Sequence, residues 1–311
     1  MVLIRAHRLT LSMKVHIMPG MNKLGLGTRV QVLNMLCEGS SIRAISRITG
    51  ASTTTILKLL VDAGLACARF HDENVRGVKA AKVQCDEIWS FCYAKAKNVA
   101  KAKAAPEHAG DVWTWTALDS DSKLIVSYLV GGRDSEYAME FMDDLRGRLA
   151  NRVQLTTDGH KAYLRAVEEA FGADVDYAML VKLYGEGPKT EARYSPAVCI
   201  GARKDAIMGA PDKKHISTSH VERSNLSLWM HNRRFTRLTN AHSKKFENHC
   251  HMIALYTVWY NYARINSAVK CAPAMAAGIS DRLWEMSDIV ALIDAAAGPA
   301  KPRGPYKARA A

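Results

Sequence analysis

Residues 83–91 read VQCDEIWSF, and the reading of this stretch decides the fold. Apolar and polar residues alternate with a period of two. The run is therefore predicted to be a strand with Val83, Cys85, Trp89 and Phe91 on one face and Asp86, Ile88 and Ser90 on the other. The same alternation sends Asp86 and Glu87 to opposite faces, which predicts that the two do not share a metal site. Trp89 marks the face of Glu87 as the packing face. Further along, two more acids stand in telling frames: Asp158 in LTTDGHKAY and Glu222 in HVERSNL. Arg152–Thr157 is predicted to be a short strand ending at Asp158-Gly159, which leaves the acid in the crevice where open α/β sheets bind ligands. Glu222 falls near the start of a predicted helix from about His220, with Asn225 and Trp229 on its face. Asp86, Asp158 and Glu222 thus form a set of hard oxygen ligands of the kind that holds two divalent ions for phosphoryl transfer. Mg2+ is the expected ion, with Mn2+ possible.

The surrounding pattern supplies an α/β frame. Val112–Leu118 and Leu124–Val130 read as strands joined by Asp119-Ser120-Asp121-Ser122, giving an antiparallel meander with the first strand. Asp134–Leu149 reads as a helix with a core stripe of Tyr137, Phe141, Met142 and Leu145. His160–Phe171 is the next helix and Ala173–Val181 the next strand. Tyr184–Ser217 reads as a long irregular insertion whose Lys189, Arg193, Arg203, Lys204, Lys213 and Lys214 either steer a DNA strand or coat a surface loop. Ala94–Ala105, with four lysines among alanines, reads as a solvated hairpin or loop. Phe246–Ile265 reads as a long core helix, and Ala295–Ala311 as a disordered basic tail. Arg223, Arg233, Arg234, Arg237, Lys244 and Lys245 make the region after Glu222 strongly basic and suited to phosphate contacts.

Residues 28–64 read as three short helices. Thr28 caps the first, Ser40 or Ser41 the second, and Gly50 ends the second with a left-handed turn. Ser52 caps a third, Ser52–Ala63, whose outer face shows Thr53, Thr54 and Lys58, small enough to enter a major groove. The stretch reads as a helix-turn-helix or, without DNA contact, as a three-helix packing unit.

Composition agrees with a polyanionic partner. Against 30 Asp and Glu stand 43 Lys and Arg, a formal charge of +13, and phosphate contacts by such residues release condensed counterions. The seven cysteines form no CxxC pair, which excludes a zinc ribbon or disulfide framework and fits a reducing cytoplasm. His249-Cys250-His251 would splay by about 100° per residue on a helix, so it is not read as a metal site. No apolar stretch reaches the ~20 residues that cross a bilayer.

The order CDEIWSF, TTDGHKAY, HVERSNLSLWMHNRRFTRLT resembles the insertion-sequence-one family of bacterial DDE transposases, over residues from about 83 to 265. The resemblance implies a ribonuclease H-like catalytic domain at 80–265, a mixed sheet flanked by helices, with Asp86, Asp158 and Glu222 as the metal-binding catalytic triad. It implies that a helix-turn-helix domain at 21–70 binds double-stranded DNA at terminal inverted repeats. Residues 1–20 would be a basic arm or a mis-assigned start, and 266–311 an extension with a basic tail. A homo-oligomer acting on two DNA ends in the cytoplasm, at the nucleoid, is also implied. Family members often carry a basic residue seven positions after the catalytic Glu; here that position is Trp229. The alternatives are a ribonuclease H-like nuclease that cuts without joining and a non-catalytic DNA-binding regulator.

Overall fold

Three helices lead the chain in the computed structural model, which describes residues 23–185, 199–236 and 240–297. They are α1 (Leu26–Cys37), α2 (Ile42–Thr49) and α3 (Thr53–Asn74). The Ser41 hydroxyl accepts from the Ala44 N–H and the Ser52 hydroxyl from the Thr55 N–H, each satisfying a donor of a first helical turn. Gly50, at φ 71°, makes the left-handed turn between them, and α2 and α3 are bent 112° apart. The third helix outruns its expected end at Ala63 and takes in the polar-looking stretch that begins at His71. Ala63, Gly64, Ala66, Cys67 and Ala68 prolong its buried face, which packs on α7 (Phe246–Val258). His71 is fully buried, its Nε2 3.3 Å from the Ile125 carbonyl.

The remaining elements are β1 (Lys82–Cys92), β2 (Gly110–Asp119), β3 (Ile125–Gly131), α4 (Ser135–Arg148), β4 (Gln154–Asp158), α5 (Ala162–Phe171), β5 (Asp176–Tyr184), β6 (Cys199–Met208), α6 (Ser219–His231) and α8 (Met286–Ala297). Short α-helices at Ala96–Val99 and Pro273–Ala276, 3-10 turns at Lys213–His215 and Arg233–Phe235, and a π-helical end to α7 at Trp259–Ala263 are also present. One six-stranded mixed sheet runs β3-β2-β1-β4-β5-β6. β1–β2, β2–β3 and β5–β6 pair antiparallel, and β1–β4 and β4–β5 parallel. This mixed α/β sheet flanked by helices is compatible with a ribonuclease H-like fold.

The meander, the strand ending at Asp158 and the helix that carries Glu222 stand where the alternation predicts them. The irregular insertion expected at Tyr184–Ser217 instead contains β6. Its sequence hides the strand because most of its residues are exposed, so no apolar alternation marks it. Edge strand β3 is buried throughout. Asn261 covers its first residue, accepting from the Ile125 N–H and donating to the Ile125 carbonyl, both at 2.9 Å. Arg148, 1% exposed, donates to the carboxylates of Asp144 and Asp72 and to the carbonyls of His71 and Val75. It thereby ties the end of α3 to the end of α4. The C-terminal helix α8 runs to Ala297, three residues into the tail expected from Ala295. No single helix among the described residues is long and apolar enough to cross a membrane.

Candidate active site

The site begins where two parallel strands part. β1 and β4 pair from Lys82↔Gln154 to Gln84↔Thr156 and no further. β4 ends two residues later at Asp158, held by its pairing with Leu180 of β5. β1 continues to Cys92, so its β4-facing edge is free of strand pairing from Cys85 until Ser243 bridges Cys92. Extending the register places Asp158 beside Asp86. β3 also runs parallel to β1, being antiparallel to β2, so the carboxyl ends of β3, β4 and β5 lie toward the same side of the sheet. Ligand sites of open α/β sheets form on that side.

Each strand end contributes. Asp86, Glu87 and Asp158 bring carboxylate oxygens within 4.8 Å of one another. Arg133, two residues past β3, lies over the Trp113 ring at 4.6 Å. It donates from Nε to Glu87 Oε2 at 3.1 Å and comes within 3.6 Å of Asp158. Lys182, near the end of β5, pairs with Glu222 at 2.7 Å. All of these line one cleft of about 1140 Å³, together with Asn225, Trp229, His160, Lys161 and Trp89.

Helix α6 is set over the cleft from the sheet itself. Gln84, on the Asp86 face of β1, accepts with Oε1 from the N–H groups of His220 and Val221. This serves a helix start whose Thr218 makes no side-chain cap. One turn on, Asn225 donates to Asp86 Oδ2 at 3.0 Å. Glu222 accepts from Lys182 and from the Thr218 hydroxyl, outside the cluster of Asp86, Glu87 and Asp158.

Asp86 and Glu87, expected on opposite faces and so apart, nonetheless bring carboxylate oxygens close enough to share an ion. The alternation itself holds: Asp86 meets Asn225 on the α6 face, while Glu87 stands beside Tyr163 of α5. The open edge of β1 lets both carboxylates turn into the gap, which a period of two cannot foresee.

Charge is held there at a cost. Burial, then the nearby Asp158 charge, pushes Asp86 up to about 6, against the hydrogen bond from Asn225. The same two causes push Glu87 up to about 7, with Tyr163 and Arg133 pulling back. Lys182 is held above its ordinary range; burial opposes its charge, but the hydrogen bond and charge of Glu222 outweigh it. His160 is lowered by burial and by Arg133. The Glu87 side chain is fully buried, and its Oε1 has no hydrogen-bond partner among the described residues. Three clustered carboxylates with a buried, unsatisfied oxygen are a donor set that fits a hard divalent ion.

No protein-family profile matches the chain, and no curated protein matches it. Among solved structures, the piggyBac transposase synaptic complex with hairpin DNA is similar at a TM-score of 0.34 and 8% identity. That likeness covers 93% of this chain and 75% of the other. A likeness of that size leaves the site to be argued from its own side chains.

The other residues singled out in the sequence are spread over several elements. Thr53, Thr54 and Lys58 are exposed on the first turns of α3, with Lys58 paired to Asp62 at 3.0 Å. Arg223, Arg233, Lys244 and Lys245 are exposed. Arg234 is half-buried and donates to the Ser243 hydroxyl. Arg237, Lys189 and Arg193 lie outside the described residues. His249 is buried between the Ser90 and Ser243 hydroxyls, which accounts for it without a metal. Sequence reasoning passed over Arg133 and Lys182. Their position at the ends of strands parallel to β1 is the signal that finds them.

Proposed function

We propose that this chain is a metal-dependent DNA-cleaving and strand-transferring enzyme, a DDE-type transposase that acts at the ends of an insertion sequence. The observation that carries the reading is the cleft at the β1–β4 split. Carboxylates from two strands converge there, one with a buried oxygen lacking a partner, and α6 brings Glu222 to the rim.

Asp86 and Asp158 would hold the ion, with Glu222 completing the set and Glu87 joining it from the opposite face. Bound there, a magnesium-type ion would polarise a phosphate oxygen and lower the pKa of water. The chain's own residues do the remainder. Asn225 fixes the Asp86 carboxylate, and Arg133 offers a cation beside Asp158 that offsets its charge. Lys161 and Lys182 line the cleft as cations for a DNA backbone. No group in the cleft need form a bond to DNA. Thr53, Thr54 and Lys58 on α3 would read the terminal repeats as the recognition helix of a helix-turn-helix, to which the 112° bend conforms. Arg223, Arg233, Arg234, Arg237, Lys244 and Lys245 would contact backbone phosphates. Pairing two DNA ends calls for a homo-oligomer.

The test is Mg2+-dependent nicking and strand transfer on a labelled duplex carrying the element's ends. Asp158→Ala and Glu222→Ala should each lose both activities while retaining end binding. Nicking without joining in the wild type would mark a nuclease. Binding without either would leave a DNA-binding regulator.

A further inference from the structure

Of the carboxylates in the cleft, Glu222 is the one paired to a lysine, both of its hydrogen-bond donors meeting Oε1. Lys182 donates to it at 2.7 Å and Thr218 donates from the helix start. The pair belongs to two different elements. Lys182 lies two residues beyond Leu180, the β5 partner of Asp158, and successive alternate residues share a strand face. The ammonium therefore projects from the sheet face over which α6 carries Glu222 and Asn225, toward the side of Asp86.

We infer that Lys182 is a built-in counter-cation that holds Glu222 at the cleft rim and competes with a divalent ion for its carboxylate. The inference rests on the reading of the cleft as a cation site. Two features support the competition. First, both partners are more than a third exposed, at 37% and 38%, and pairs this open exchange readily because solvent screens them. Second, Asp86, Glu87 and Asp158 already cluster without Glu222, so a cation can enter on three carboxylates before the Lys182–Glu222 pair is broken. Lys182 then acts as a positioning residue. It keeps a fourth carboxylate from adding repulsion to the cluster and releases it to a cation of higher charge.

The experiment is a titration of the whole protein with Mn2+, reading free ion by electron paramagnetic resonance. Wild type should show one tighter site and one weaker, and Glu222→Gln should remove the weaker. Lys182→Met should tighten the weaker site about two- to fivefold, the range a partly exposed pair can supply. Lys182→Arg should restore the wild-type value, and Lys182→Met combined with Glu222→Gln should show no tightening. Unchanged melting temperatures would confirm that the variants fold. Mn2+ binding by wild type with no tightening, or a loosening, in Lys182→Met would overturn the role of Lys182 alone. Absence of Mn2+ binding by wild type would overturn the cation site and this inference with it.

Discussion

Glu87 sits where its surroundings oppose its charge. Its side chain is buried, Asp158 and Asp86 crowd it, and Tyr163 and Arg133 compensate only in part. Arrangements of this kind cost stability in the absence of a ligand and yield affinity in its presence. Glu87→Gln keeps the shape, lets the amide oxygen accept from Arg133 and removes the buried negative charge. The expected outcome has two parts of opposite sign. At about pH 8 the metal-free variant should be more stable to urea by roughly 1–2 kcal/mol. Its Mn2+ affinity should fall about tenfold or more, since even residues that only orient metal ligands cost that much when lost. A variant less stable than wild type with unaltered Mn2+ affinity would reduce Glu87 to an anchor for Arg133.

At the scale of elements, the helical layer depends on how closely α3 can approach α7. Gly64 is a point of close approach: a Cβ there would lie 2.4 Å from the His251 Cβ and 2.5 Å from its Cα. Alanine is the better helix former by about 1 kcal/mol, so in an open helix Gly64→Ala would stabilise. Here the obstacle includes backbone, and the substitution should instead destabilise by roughly 1–3 kcal/mol, the usual cost of overpacking. Chemical denaturation checks the sign; a gain would mean the helices part freely. The same contact explains a limit of the sequence. The capping serines Ser41 and Ser52 and the turn at Gly50 are local signals and were legible. The continuation of α3 through Asn74 depends on burial against α7, which no local pattern carries. Likewise the alternation in VQCDEIWSF correctly divides Asp86 from Glu87. Their convergence arises from the parting of β1 and β4 after Gln84, a tertiary fact. Asp158 was legible because a strand end followed by Gly is itself local. Lys182 and Arg133 became visible only once the strand order was known.

For the molecule as a whole, acid sensitivity combines the core with the cleft. His71, His249 and His251 are buried and lowered from 6.5 to about 3, 3 and 4. Burial is the leading cause in each, followed by Arg148 for His71 and Arg234 for the other two. Their folded pKa values are depressed, so the stability they contribute is present above the unfolded value and declines as pH falls below it. Unfolded chains take up these protons near 6.5, and the folded protein does so only near 3–4. Each histidine thus costs about 1.4 kcal/mol per pH unit in that window. Asp86 and Glu87 work the other way. Raised from 3.8 and 4.5 to about 6 and 7, they bind protons in the folded state first, so their unfavourable contribution is relieved as pH falls. From these groups, three protons lost against two gained leave a net slope of about one between roughly pH 6 and 4.5, or about 1.4 kcal/mol per unit. Replacing both acids, Asp86→Asn with Glu87→Gln, removes the opposing pair. The double variant should begin more stable near pH 7 and then lose stability about three times as steeply on acidification. Urea midpoints measured across this range decide it. Parallel slopes for the two proteins would show that the cleft carboxylates do not take up protons ahead of the unfolded chain, and that the core histidines alone set the acid limit.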